Sequence, residues 1–213
     1  MAETNAAHPR LLRAEDLQQV VQVHRICFPQ DLYTSLGLAF HRGFYAALLS
    51  ARQTRTAVLE DSATGMVVGF ATGSFNPSLY RDMLKRNLHL AAWGALVGLF
   101  TSPVVRGGLK KALRRLGRIV RTEGVIGMDQ AGIPPADGPV ARLLYIGMLP
   151  EYRGGGNAQR LLQYCAEQLF ALGAVRVAGI VPGDNLPSLI LYKKAGWNVQ
   201  KTGGRYYVWA DRR

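Results

Sequence analysis

The chain has 213 residues, 48% apolar and 19% charged, the size and make-up of one globular domain with a sizeable core rather than two small ones. Its 26 Lys and Arg against 14 Asp and Glu leave a net charge of +12, which points to an anionic partner: a phosphorylated ligand, nucleic acid or a lipid surface. The two distant cysteines, Cys27 and Cys165, exclude a disulfide scaffold and offer no zinc-ligand spacing; with no secretory signal in the first ten residues, a reducing, cytoplasmic setting is expected.

In chain order, residues 9–13 read as a short strand. Asp16 is placed to cap a helix whose apolar positions Leu17, Val20, Val21, Val23 and Ile26 favour one side, up to the breaker Pro29. A second helix is expected over 36–51, rich in Phe40, Phe44, Tyr45, Leu48 and Leu49. Residues 54–60 and 66–75 flank the turn formers Asp61 to Gly65 and read as a hairpin.

A long segment, 76–139, comes next and is expected to hold two or three helices before a stretch punctuated by Gly132, Pro134, Pro135, Gly138 and Pro139. Between positions 81 and 121 ten basic residues face one acid, Asp82, so +9 of the chain's +12 lies there. Residues 91–100 within it are all apolar, ten residues, whereas crossing a bilayer takes about 20. A spanning helix is not expected. Three readings stay open: a lid whose Lys and Arg grip a phosphate-bearing acceptor, a basic amphipathic contact with an anionic membrane face, and a solvated basic helix. Nucleic acid fits poorly, because Trp93 and Phe100 lie in the apolar run rather than between the charges.

Beyond the insertion, 140–149 reads as a strand and 150–157 as a turn with three successive glycines. A helix to about residue 172 follows, with Ala158, Leu161, Leu162, Cys165 and Leu169 on one face. A strand at 175–181 leads to Asn185, a natural cap for a short helix to 195 that Gly196 ends. Strands at 197–201 and 205–210 close the chain. The order predicts one α/β or α+β domain over 1–213 with a mixed sheet.

Arg153, Gly154, Gly155, Gly156, Asn157 and Ala158 stand where a strand passes into a helix. Small residues there let consecutive amides approach an anion, the helix dipole adds to the attraction, and Arg153 can give a charge-assisted hydrogen bond to a phosphate. A P-loop is excluded, since no Lys-Ser or Lys-Thr closes it, and Gln159 breaks the dinucleotide spacing. The plainer alternative is a tight turn with no ligand.

This turn resembles the acetyl-CoA loop of the GCN5-related N-acetyltransferase (GNAT) superfamily, R/Q-x-x-G-x-G/A, with Arg153, Gly156 and Ala158 at its fixed positions. A second block, Asn185, Ser188, Leu191, Tyr192, Gly196 and Trp197, is similar to the family's N-x-x-A-x-x-L-Y-x-x-x-G-F. The resemblance implies a mostly antiparallel twisted sheet flanked by helices, with the basic helical insertion between the third and fourth strands and an acetyl-CoA-binding core over 140–210. Residues 28–45 also resemble a subgroup of bacterial acetyltransferases of amino-sugar and surface-polysaccharide pathways.

By the same resemblance, the fourth strand splays from the fifth and its main chain at Ile146, Gly147 and Met148 holds the pantetheine arm of acetyl-CoA. A backbone N–H there would stabilise the developing oxyanion. Tyr192 is implied as the acid that protonates the departing thiolate, and Asn185 as a cofactor contact or a plain helix cap. The general base is left unassigned: the family's Glu position holds Arg142, and Glu123, Asp129, Tyr145, His24 and His41 are candidates beside a water chain. The implied activity is acetyl transfer to a primary amine of a small molecule, such as an amino sugar or its nucleotide- or lipid-linked form. A sugar O-acetyltransferase and a non-catalytic CoA-sensing or nucleic-acid-binding module are the alternatives, and oligomeric state is open.

Overall fold

The computed structural model of the protein describes residues 6–31, 34, 37–76 and 135–212. The basic segment 81–121, its apolar run, and Glu123 and Asp129 lie outside the described residues. Among the described residues no helix is long and apolar enough to cross a membrane.

The elements are β1 (Ala7–Leu11), α1 (Leu17–Cys27), α2 (Leu38–Ser50), β2 (Thr54–Asp61) and β3 (Val67–Ser74), then β4 (Val140–Met148), α3 (Asn157–Ala171), β5 (Arg176–Pro182), α4 (Leu186–Lys194), β6 (Asn198–Thr202) and β7 (Arg205–Asp211). They build one seven-stranded sheet in the order β1-β2-β3-β4-β5-β7-β6. Every neighbouring pair is antiparallel except β4 with β5. The mixed, mostly antiparallel sheet expected from the sequence is therefore the one observed.

Helices cover both faces. Leu161, Leu162, Cys165 and Leu169 of α3 pack with Ala57, Leu59, Ala71 and Val177 on one side. Val20, Val21 and Val23 of α1 and Phe40, Phe44, Tyr45 and Leu48 of α2 pack with Val58 and Phe70 on the other. Strand β3, with strands on both edges and helices on both faces, is buried at every residue. Its apolar run follows from that position, as a strand shielded twice has no solvent face to make polar.

Two local expectations are corrected. The first strand is Ala7–Leu11 rather than 9–13, because Arg13 starts a 3-10 turn at Ala14–Asp16. Asp16 also does not cap α1 with its side chain. Its carboxylate instead accepts both terminal nitrogens of Arg10, at 2.6 and 2.8 Å, and the Arg13 amide at 2.8 Å. Burial alone would raise the Asp16 carboxyl, and these donors outweigh it and hold the group below its ordinary range. A bidentate guanidinium supplies two charge-assisted bonds where a cap supplies one neutral amide, so the tertiary partner wins.

Candidate active site

Strand β4 stays paired with β3 as far as Gly69↔Met148, and β5 stays paired with β7 as far as Pro182↔Arg205. Between themselves β4 and β5 pair only over Val140↔Arg176 to Arg142↔Ala178. Beyond Arg142 the two strands diverge, leaving a wedge in the middle of the sheet. The splay expected for the fourth and fifth strands is present.

The ladder bond from Leu149 N to Val68 O, 2.9 Å, sets which main-chain groups enter this wedge. Residues 149, 147 and 145 share the register that bonds to β3, so the N–H and C=O groups of Ile146 and Met148 point away from β3, into the opening. Gly147 therefore turns its own main chain to β3 and contributes differently from its neighbours. A Cβ on it would lie 2.9 Å from Phe70, 3.0 Å from Phe28 and 3.1 Å from Cys27, closer than side chains pack. Glycine at 147 lets the end of α1 press against the strand just where it opens.

Of the groups facing the wedge, the Met148 carbonyl is already engaged. It accepts the Cys27 thiol at 3.3 Å and Arg153 Nε at 3.1 Å. Burial pushes the Cys27 thiol up, with the nearby Arg153 guanidinium partly opposing it. Arg153 thus reaches back to the strand, a tie that its motif position alone does not disclose.

At the mouth of the wedge the chain makes a 3-10 turn, Pro150–Tyr152, and then passes through Gly154, Gly155 and Gly156 at φ 99°, 56° and 79°. All three are left-handed, which costs any L-residue about 1–2 kcal/mol, so the triple glycine is a conformational requirement. The Asn157 amide bonds to the Gly154 carbonyl at 3.2 Å and the Arg160 amide to Gly156 at 3.0 Å. The amides of Gly154, Gly155, Gly156, Ala158 and Gln159 have no acceptor among the described residues. No acidic side chain occupies the first turn of α3, and its N-cap, Gly156, brings no side-chain cap. Five open donors at a positive helix end form a site for an anion with several oxygens.

Asn157 is buried and supports the turn from within. Its Nδ2 donates to the Tyr152 carbonyl at 3.0 Å and its Oδ1 accepts Arg160 at 2.5 Å. Tyr152 in turn donates its hydroxyl to Asp61 at 2.5 Å, which ties the turn to the β2–β3 hairpin. Asn185 is the N-cap of α4, accepting the Ser188 amide at 3.2 Å.

Tyr192 on α4 is 5% exposed, belongs to the same core cluster as Met148, and packs its ring 5.1 Å from that of Trp197. Its hydroxyl has no hydrogen-bond partner among the described residues. Burial, with Cys165 adding to it, pushes the phenol above its ordinary value, so it keeps its proton through neutral pH.

On the α1/α2 face of the wedge lies a polar cluster whose assembly the sequence does not disclose. His24, fully buried, contacts Tyr45 Oη through Nδ1 at 2.7 Å and Asp31 Oδ2 through Nε2 at 3.2 Å. Tyr145 of β4 donates its hydroxyl to the same Asp31 oxygen at 3.1 Å. His41 stands edge-on to His24, ring centres 4.4 Å apart, fully buried and with neither nitrogen hydrogen-bonded among the described residues. Burial, and His24 beside it, lower its pKa to about 3. Among the base candidates, His24 and Tyr145 are thus brought together through Asp31, a residue that sequence reasoning passed over. Among the described residues no cluster of side chains suits a metal ion.

An open recess of about 770 Å³ lies where β5 ends against the β6–β7 hairpin, bordered by Ile180, Asp184, Lys201 and Arg205.

A model of the acetyltransferase (GNAT) family matches residues 109–197, which span both the glycine turn and the Tyr192 helix. The crystal structure of SsHAT shares 18% identity and a TM-score of 0.58, over 97% of this chain and 98% of that one. An aminoglycoside antibiotic 6'-N-acetyltransferase from Acinetobacter baumannii shares 12% identity and a TM-score of 0.57, over 93% and 95%. A phosphinothricin acetyltransferase from Sinorhizobium meliloti, solved with AcCoA, shares 15% identity and a TM-score of 0.57, over 96% and 88%. No curated protein matches the chain by sequence.

Proposed function

Because a model of the acetyltransferase (GNAT) family matches residues 109–197, we propose that this chain moves the acetyl group of acetyl-CoA to a primary amine of a small molecule. The observation that carries this reading is the row of open amides at Gly154, Gly155, Gly156, Ala158 and Gln159, beside a wedge lined by the main chain of Ile146 and Met148. The diphosphate of CoA lies on the first and its pantetheine arm runs into the second. The phosphinothricin acetyltransferase of the same fold was solved with AcCoA, which supports the choice of carrier.

In the reaction, a neutral amine attacks the thioester carbon and the C–S bond breaks as the C–N bond is completed. The Met148 N–H, directed into the wedge, is placed to polarise the carbonyl and stabilise the oxyanion. Tyr192 gives its proton to the departing thiolate and regains one as the new amide nitrogen loses its own. Arg153 and Asn157 hold the turn and strand in register, and Asn185 caps α4.

For the acceptor we favour an amino sugar, free or in a nucleotide- or lipid-linked form, acetylated in the cytoplasm. Lys201 and Arg205, which outnumber the one carboxylate, Asp184, at the recess beside β5, support a phosphate-bearing acceptor. Calorimetry with CoA, followed by thiol release across amino sugars, polyamines and amino acids, tests the reading. CoA binding with amine-dependent thiol release is expected. CoA binding without release from any amine would leave a sensor, and absence of CoA binding would remove the assignment.

A further inference from the structure

We propose that Asp31 is the docking point for the acceptor's ammonium group; the inference rests on the acetyl-transfer reading and adds the residue that selects a cationic acceptor. Three observations converge on it. The Asp31 side chain is 23% exposed, whereas His24, which it contacts, is fully buried. Both of its donors, His24 Nε2 and Tyr145 Oη, go to the same oxygen, Oδ2, at 3.2 and 3.1 Å. The other oxygen, Oδ1, has no hydrogen-bond partner among the described residues. The cluster therefore holds a carboxylate by one oxygen and leaves the second, partly exposed, for a cation.

The hydrogen-bond roles follow from chemistry. A carboxylate only accepts, so His24 Nε2 carries the hydrogen toward Asp31, and in the neutral ring Nδ1 accepts from Tyr45 Oη at 2.7 Å. Tyr45 fixes this orientation of the ring, and His24 and Tyr145 together fix the carboxylate. Every titratable or charged group known to face the site is then accounted for: His24 and Arg25 of α1, His41 and Tyr45 of α2, and Tyr145 of β4. His41, with a pKa lowered to about 3, adds no charge at neutral pH. The Asp31 carboxylate thus has no guanidinium or ammonium of the described chain bonded to it, unlike Asp16, which Arg10 neutralises.

The position fits the chemistry. Tyr145 is the residue before Ile146, whose main chain faces the wedge, and the end of α1 packs on Gly147 one step further. A carboxylate on that face attracts an R–NH3+ group to the side of the sheet opposite α3 and the glycine turn. After the ammonium loses one proton to solvent, its nitrogen is beside the opening through which the thioester would arrive.

The test uses the full chain, CoA by calorimetry, and whichever amine of the amino-sugar, polyamine and amino-acid panel the wild type acetylates best. Asp31→Asn is expected to bind CoA as the wild type does, and to lose about 10- to 100-fold in kcat/KM near pH 7, mainly through KM. The loss should shrink as pH rises through the amine's own pKa, near 8 for an α-amino group, because the ammonium then disappears. A merely structural role would lower kcat/KM of Asp31→Asn by the same factor at every pH, and such a flat ratio to wild type, or an unchanged KM, overturns the proposal. Should Asp31→Asn not fold, Tyr145→Phe removes one support of the carboxylate and must raise the amine KM severalfold; an unchanged KM there overturns it too. Loss of CoA binding in the wild type would instead strike the acetyl-transfer reading, and CoA binding with no amine acetylated would defeat both.

Discussion

Arg153 Nε donates to the main-chain oxygen of Met148 at 3.1 Å, joining the start of the glycine turn to the last wedge-facing residue of β4. A single side chain thereby couples the two surfaces assigned to one cofactor, the turn to its diphosphate and the strand to its pantetheine arm. Arg153→Ala should cost little stability, below about 1 kcal/mol, since the residue is exposed. Its CoA dissociation constant should rise about tenfold, the worth of roughly one charge-assisted hydrogen bond. Calorimetry checks this, and equal affinities would mean that the tie is not used in binding.

Gly156→Glu separates backbone geometry from charge. The space beside Gly156 is open, its nearest neighbour being Gln159 Oε1 at 3.9 Å, so the substitution brings strain from φ 79° rather than a clash. A destabilisation of about 1–2 kcal/mol is expected, which denaturant unfolding measures. CoA binding should be abolished, because a carboxylate then stands at the positive end of α3 in place of the diphosphate. Retained affinity would contradict the placement.

Tyr192→Phe removes a hydroxyl that makes no hydrogen bond among the described residues, so folding and CoA affinity should be unchanged. Turnover should fall by about 10²-fold, the lower end of what a positioned acid contributes. Thiol release under saturating acetyl-CoA measures it. Wild-type turnover in the variant would leave Tyr192 as a packing residue against Trp197.

His41 links stability to pH. Its folded pKa of about 3 lies below the ordinary 6.5, so between these values the unfolded chain binds a proton that the folded chain refuses. Stability contributed by the neutral ring is therefore complete above about pH 6.5 and declines as pH falls, by at most about 1.4 kcal/mol per unit. His41→Phe, which keeps an aromatic ring among Phe44, Tyr45 and His24, should flatten the decline between pH 7 and pH 5 in thermal melts. An identical slope in the two proteins would show that another group sets it.

What the sequence disclosed is what local chemistry determines. Three adjacent glycines at a strand-to-helix junction have few uses other than a left-handed run, and Gly154, Gly155 and Gly156 adopt one. Asn185 followed three residues later by Ser188 forms the cap that its position suggests. Asp16 misled for the opposite reason: its partner, Arg10, lies on the preceding strand, and no local pattern shows that the two side chains meet. The Asp31 cluster was hidden in the same way, as Tyr145 is 114 residues away and only the β3–β4 register carries it to the end of α1. Ile146, Gly147 and Met148 were legible as a strand, but which of their amides face the wedge depends on a parity that the ladder alone fixes.

Backbone amide resonances followed while CoA is added show whether the open amides at the α3 start receive its diphosphate. The resonances of Gly154, Gly155, Gly156, Ala158 and Gln159 should move together with those of Ile146 and Met148, while β1 and the β2–β3 hairpin tip stay still. Saturable shifts confined to any other surface, or none at millimolar CoA, would contradict it.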